Sequence, residues 1–370
     1  MKVVCQQKKL AKALGQVAKL VPSRSELPIL SNVFLSASKG FLTLQTTDLQ
    51  LSVSAQVPAE VEEDGEITVP AGAVQSFVSS LSADKINLAL EKNQLGVRTD
   101  KVAANFVTIP AIDYPSFPEM QNEPIFVFNT EELARLIRKI CFSAATDAAR
   151  PVLTGVYLEV KDKQISFVST DGFRLSRAKS TPIRLSKEQK PIIIPASAFS
   201  EVEKLLSGAG EEEVNVYLTK DANQIIFDLG SVKLASRLLE AEYPDYNKIL
   251  PESFEFKTVI DRAGFAQAVR TVAVFAQRDA QTIYLTFENN SVAIEAQSSE
   301  IGEAREEIAV QIEGEKLKCA FNVGFLIDAL ESIDGDELVF EAKDSLSPTR
   351  WTSPSDKSFF HIIMPIRIEE

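Results

Sequence analysis

The sequence predicts an α+β fold with largely antiparallel sheet, set out three times along one chain. Apolar residues at helical spacing alternate with runs of strand-like polarity, so each region holds both kinds of element. The strands come in pairs joined by short polar turns, a connection suited to antiparallel neighbours. These segments then recur in one order at a period of about 125 residues, too long for a solenoid.

The first element is a helix. Leu10, Leu14, Val17 and Val21 fall on one face at helical spacing. Its second copy places Leu133, Leu136, Ile137 and Ile140 on the apolar face, with Thr130 as the expected N-cap. The third places Phe265, Val269 and Val272 there. Next comes a strand pair, at residues 34–48, 157–171 and 284–298, each opening on an aromatic residue followed by leucine. A strand end running into a helix follows, at residues 69–77, 194–202 and 321–330. Tyr114-Pro115 and Tyr243-Pro244 precede proline-bearing stretches near residues 122–124 and 251–253, which suit linkers because proline resists helix interiors and central strands. The expected domains are residues 1–121, 122–251 and 252–370.

Length agrees with three domains of ordinary size, since 370 residues hold about three units of 100–150. Charged residues at 25% and hydrophobic residues at 45% describe an ordinary globular chain. No run approaches the ~20 apolar residues of a membrane span, and the first residues carry no apolar core of signal-peptide length, so the expected location is the cytoplasm and no membrane partner is expected. Cys5, Cys141 and Cys319 are too dispersed for a zinc site or disulfide framework and read as small buried hydrophobes. No metal or cofactor is expected.

A net charge of −13 argues against a polyanion partner until the positions of the positive charges are considered. Lys8, Lys9, Lys12 and Lys19 are the only charged residues between Cys5 and Val21, and Lys8, Lys12 and Lys19 lie opposite the apolar stripe. The equivalent helix of the second repeat carries Arg135, Arg138 and Lys139, and that of the third Arg262 and Arg270, with Arg278 just beyond. Any one such face can be merely solvated. Three equivalent faces in an acidic chain also fit a surface that meets phosphates without reading bases.

Catalytic sets are missing. The one histidine, His361, sits in an apolar strand-like run and reads as structural. No GxSxG, HExxH, P-loop or GxGxxG occurs. Asp48 and Asp171 occupy equivalent repeat positions where the third copy has Ser298, which suits a turn better than a reaction.

The chain resembles the bacterial DNA sliding clamps, the β subunits of the replicative polymerase. The segments carrying the resemblance are Leu27-Pro28-Ile29-Leu30, Ser169-Thr170-Asp171-Gly172-Phe173-Arg174-Leu175, Tyr243-Pro244-Asp245-Tyr246 and Met364-Pro365-Ile366-Arg367, and it spans the chain. It implies three repeated clamp domains, with helices lining a ring interior and antiparallel sheets outside. It further implies a head-to-tail homodimer that encircles double-stranded DNA independently of sequence, with edge strands near residues 103–108 and in the third domain pairing between subunits. Partners would be the replicative polymerase, a clamp loader, repair polymerases and mismatch-repair proteins. They would dock in one peptide pocket per chain, carried over onto Leu153, Thr170, Gly172, Phe173, Arg174, Leu175, Pro244, Lys248, Ile249, Ile362, Ile363, Met364, Pro365, Ile366 and Arg367. Arg24 matches a DNA-contacting arginine.

Phe173 stands where the family usually has histidine, Lys248 where it often has arginine, and Pro151-Val152 where some members have two tyrosines. The chain runs on through Glu369 and Glu370 beside the pocket. Without the resemblance, Ile362-Ile363-Met364 reads as a buried final strand. Two other classes stay open: an interaction scaffold without DNA, and an enzyme with an unfamiliar site.

Overall fold

The structure, a computed structural model, describes residues 1–22, 27–147, 149–185, 190–276 and 281–368. The described residues form six α-helices: α1 (Gln7–Val17), α2 (Ala71–Ser80), α3 (Thr130–Ile140), α4 (Ala196–Ala209), α5 (Arg262–Ala276) and α6 (Val323–Ser332). Helix α1 buries Leu10, Leu14 and Val17, but tightens after Val17 into a 3-10 turn, Ala18–Leu20, so Val21 is only half-buried. Helix α3 buries Leu133, Leu136, Ile137 and Ile140, and α5 buries Phe265, Val269 and Val272. The cap of α3 is Asn129 rather than Thr130: its side-chain oxygen accepts the N–H groups of Glu131 (3.0 Å) and Glu132 (3.2 Å). The Thr130 hydroxyl instead donates to the Glu211 carbonyl.

The strands reveal a doubling inside each repeat. Setting aside two short extra strands, Arg184–Leu185 and Gln311–Glu313, every helix follows one strand and precedes three, giving six β-α-β-β-β motifs in chain order. In each repeat the first strand of one motif pairs antiparallel with the post-helix strand of the other. Lys2–Gln6 thus lies against Lys85–Glu91, and Gly65–Pro70 against Asn32–Ser38. The same exchange joins Phe126–Asn129 to Glu213–Leu218, Ile192–Pro195 to Gly155–Lys161, Phe256–Asp261 to Glu337–Ala342, and Leu317–Asn322 to Thr282–Glu288.

By packing, the described residues fall into two compact units. One comprises Met1–Glu132, Pro182–Lys187 and Ser197–Leu238; the other comprises Leu133–Thr181, Glu188–Ala196 and Leu239–Glu370. In the first, sheet runs across the repeat boundary because Leu51–Ala55 pairs with Val232–Ser236. In the second, Arg174–Ala178 pairs with Phe359–Ile363 in the same way. Both joints match the last strand of a repeat's first motif with the last strand of the next repeat's second motif.

Two strands of those classes stay at sheet edges: Ala103–Val107 in the first unit and Gly302–Ala309 in the second. Val107 (69% exposed) and Ile112 (89%) project at or near the first edge; Ile301 is exposed beside the second, and Val274 on helix α5. The second unit's core is aromatic, with Trp351 4.6 Å from Phe340 and Phe340 stacked on Phe287 at 5.0 Å. No helix among the described residues is long and apolar enough to cross a membrane.

Candidate functional site

The expected pocket is organised by a four-residue turn. Asp171 Oδ1 accepts the N–H groups of Phe173 (2.8 Å) and Arg174 (3.0 Å), the Asx turn that an aspartate before glycine favours. The Thr170 hydroxyl donates to the Arg174 carbonyl (2.6 Å) and accepts from Gly172 N–H (3.0 Å). Gly172 has φ +94°, a left-handed conformation that glycine adopts without strain, and the nearest atom to a Cβ there would be Arg150 Nη1 at 2.7 Å, the movable end of a flexible side chain. The turn fixes the chain's end by donation from Met364 N–H to the Phe173 carbonyl (2.9 Å).

Beneath it, Leu175 and Ile362 face each other in register and join Val168 and Tyr246 in one buried cluster. Tyr157, stacked on Tyr243 at 5.0 Å, packs against that cluster with Leu250 and Phe360. Ile363, Leu153 and Thr170 are also buried. Leu175, Ile362 and Ile363 are therefore core, as a buried final strand would be. The accessible members of the expected set are Phe173 (60% exposed) and Ile249 (45%), with Pro244 and Lys248 exposed and Met364 and Pro365 half-buried. Ile366 is tied by its N–H to the Ala320 carbonyl (2.7 Å). Arg367 lines an open cavity of about 910 Å³ with Lys316, Lys343 and Asp344, which none of the other expected pocket residues lines.

Arg174 is half-buried and heavily bonded. Nε donates to Asp171 Oδ2 (3.0 Å), Nη1 to Asp328 Oδ2 (2.5 Å) and Nη2 to the Phe142 carbonyl (2.6 Å), while the guanidinium lies 4.4 Å from the Phe325 ring centre. His361 is fully buried. Its Nδ1 lies 2.8 Å from Ser176 Oγ, which lies 2.7 Å from Ser143 Oγ. Burial, and then the nearby positive charge of Arg174, push its pKa down to about 3, so the ring is neutral and structural, as its apolar setting predicts.

The basic residues divide by environment. Lys8, Lys9 and Lys19 are exposed with no acidic partner among the described residues, and Lys12 reaches the Gly208 carbonyl at 2.6 Å. Arg138 is exposed on α3. Lys139 departs from the expected surface role: its side chain is 4% exposed and its ammonium lies 2.7 Å from Asp334 and 2.6 Å from Asp356. Arg135 holds the same two carboxylates, each at 2.7 Å. Burial opposes the charge on Asp356, yet hydrogen bonds from Lys139 and Ser358 hold its carboxyl down at about 2. Arg262 is half-buried and donates to the Gly335 and Leu330 carbonyls at the end of α6, while Arg270 pairs with Glu331 at 3.0 Å. Arg24, Arg278, Glu369 and Glu370 lie outside the described residues.

Sequence reading missed Asp328, Asp334, Asp356 and Tyr246. The first three find their basic partners 154 to 221 positions away, a distance over which no local pattern signals pairing.

Three family models match almost end to end: the N-terminal, central and C-terminal domains of the DNA polymerase III beta subunit, over residues 1–118, 127–245 and 247–367. A beta sliding clamp from Synechococcus elongatus is 29% identical, with both chains fully covered. The crystal structure of a sliding clamp from Bacillus subtilis superimposes with a TM-score of 0.95 at 26% identity, over all of both chains. A Pseudomonas aeruginosa polymerase III subunit beta, solved bound to griselimycin, is 30% identical with a TM-score of 0.93 and full coverage of both. With three clamp domains of antiparallel sheet and helices, this chain belongs to the bacterial DNA polymerase III β-subunit family, the non-catalytic sliding clamps of DNA replication.

Proposed function

We propose that two copies close head to tail into a ring that encircles double-stranded DNA, holds the replicative polymerase on its template, and docks partners through the Thr170–Met364 pocket. One observation carries the ring. The chain uses one kind of strand joint twice internally and leaves one unpaired half of that joint at each end, Ala103–Val107 and Gly302–Ala309. Pairing those halves between chains is heterologous and closes if the rotation per chain allows it. It would also cover Val107, Ile112 and Val274.

Inside such a ring the exposed Lys8, Lys9, Lys12, Lys19 and Arg138, with Arg270, face the duplex and contact phosphates without reading sequence. Arg135 and Lys139 act instead through their carboxylates. The accessible Phe173 and Ile249, with Lys248, suit a short peptide bearing glutamine and apolar residues. Its bearers are the polymerase catalytic subunit, the clamp loader, repair polymerases and mismatch-repair proteins, all acting in the cytoplasm. Domain limits near 121/122 and 251/252 accompany this reading.

The test is retention on circular against linear duplex DNA after loading by a clamp loader with ATP, followed by a high-salt wash. Survival on circles with loss from linear ends is expected. Equal loss from both would leave electrostatic binding alone and remove the ring.

A further inference from the structure

The first repeat supplies an internal control for the pocket turn. Asp48 Oδ1 accepts the N–H groups of Gln50 (2.9 Å) and Leu51 (2.7 Å), and Thr47 Oγ1 donates to the Leu51 carbonyl (2.8 Å) and accepts from Leu49 N–H (3.0 Å). Arg237 N–H donates to the Gln50 carbonyl (3.0 Å), as Met364 N–H does to that of Phe173. Every one of these bonds has its counterpart 123 positions on, at Thr170–Arg174. The residue in the place of Arg174 is Leu51. The turn's internal bonds thus form without an arginine, so what Arg174 adds is a tie between the turn and other elements.

All three nitrogens of Arg174 already have acceptors, its side chain is 11% exposed, and its ring contacts are Phe325 and Phe142. Phe325 and Asp328 both stand on helix α6, outside the expected pocket.

We propose that Arg174 is a positioning residue rather than a peptide contact, and that Asp328 on α6, through Arg174, holds the pocket turn in its binding geometry. This rests on the peptide-docking reading above. A planar fork held by a carboxylate, a carbonyl and an aromatic face fixes direction as well as distance, which an ammonium cannot do. Phe173, one residue before Arg174, and Met364, bonded to Phe173, would inherit that direction.

The test uses the intact protein and a fluorescein-labelled peptide bearing glutamine, leucine and phenylalanine, read by anisotropy. Asp328→Ala should weaken binding about tenfold, Asp328→Glu should recover most of it, and Arg174→Lys should resemble Asp328→Ala. The Asp328→Ala/Arg174→Ala double variant should be no weaker than Arg174→Ala. Amide exchange should rise at residues 170–175 in Asp328→Ala and stay unchanged at residues 47–52. Full affinity in Asp328→Ala, or additive losses in the double variant, would overturn the proposal. Failure of the wild-type chain to bind the peptide would instead overturn the docking reading beneath it.

Discussion

The ammonium of Lys139 lies 2.6 Å from the carboxylate of Asp356, with both side chains largely withdrawn from water. Asp334 and Arg135 complete the cluster, and Lys139 also stands 4.8 Å from the centre of the Phe359 ring. Removing Lys139 leaves two neighbouring carboxylates, Asp334 and Asp356, to Arg135 alone. Lys139→Ala should therefore lower unfolding free energy by about 3–5 kcal/mol, whereas a half-exposed surface pair would cost under ~1 kcal/mol. Urea denaturation of Lys139→Ala beside Lys204→Ala, which loses an exposed pair with Glu201, checks this.

Asp356 adds an acid dependence. Its carboxyl is held at about 2 against an ordinary 3.8, so its contribution is complete above 3.8 and disappears as pH falls toward 2. His361 acts at higher pH. It is held at about 3 against 6.5, so the unfolded chain takes up a proton that the folded chain refuses, and stability declines as pH drops from 6.5 toward 3. The slope for one proton is about 1.4 kcal/mol per pH unit. Between pH 6.5 and 5, where most carboxylates stay ionised, His361→Phe should flatten the urea midpoint against pH; an unchanged slope would show that the histidine protonates while folded.

Charge reversal at Lys8, Lys9 and Lys19 should weaken DNA retention without altering the oligomer. Each lost phosphate contact should lower the dependence of log affinity on log salt by roughly 0.9. Arg262→Ala should leave that salt slope unchanged and lower stability instead, because its donors serve backbone carbonyls at the end of α6. Titrations at two or more salt concentrations separate the two behaviours.

The two edges can be broken separately. Val107→Asp and Val274→Asp should each yield monomers in sedimentation. Mixed together they should regain one intact joint and sediment as a dimer, but that dimer stays open and should slide off circular DNA. A mixture that remained monomeric would count against a head-to-tail joint at these edges.

At the pocket, Phe173→Ala and Ile249→Ala should reduce peptide affinity by about 1–2 kcal/mol with stability unchanged, since both are exposed. Leu175→Ala should cost stability as well, by about 2–5 kcal/mol, because it belongs to the buried cluster. Calorimetric titration paired with melting curves distinguishes these.

Periodicity made the fold class and threefold order legible, because apolar spacing reports which face is buried. The doubling within each repeat was not legible: six β-α-β-β-β motifs share a hydrogen-bond pattern but little side-chain chemistry, as Leu51 and Arg174 illustrate. Asp48 and Asp171 were readable as turn formers because an Asx turn is local. Charge alone misplaced Lys139, whose burial depends on Asp334 and Asp356 far along the chain. Helical spacing could not distinguish a capping arginine such as Arg262 from a surface one, since the carbonyls it serves, Leu330 in helix α6 and Gly335 in the loop after it, lie far along the chain.

The two unpaired edges are also a hazard during synthesis. Ala103–Val107 leaves the ribosome about 200 residues before Gly302–Ala309, roughly 10–40 s at ordinary elongation rates. Throughout that interval the chain shows an uncharged strand, Ala103-Ala104-Asn105-Phe106-Val107, whose proposed complement has not been made. The later edge carries Glu303, Arg305, Glu306 and Glu307, which discourage indiscriminate strand addition. Protection against aggregation is therefore asymmetric, and nascent chains stalled between the two edges are the species most exposed to it.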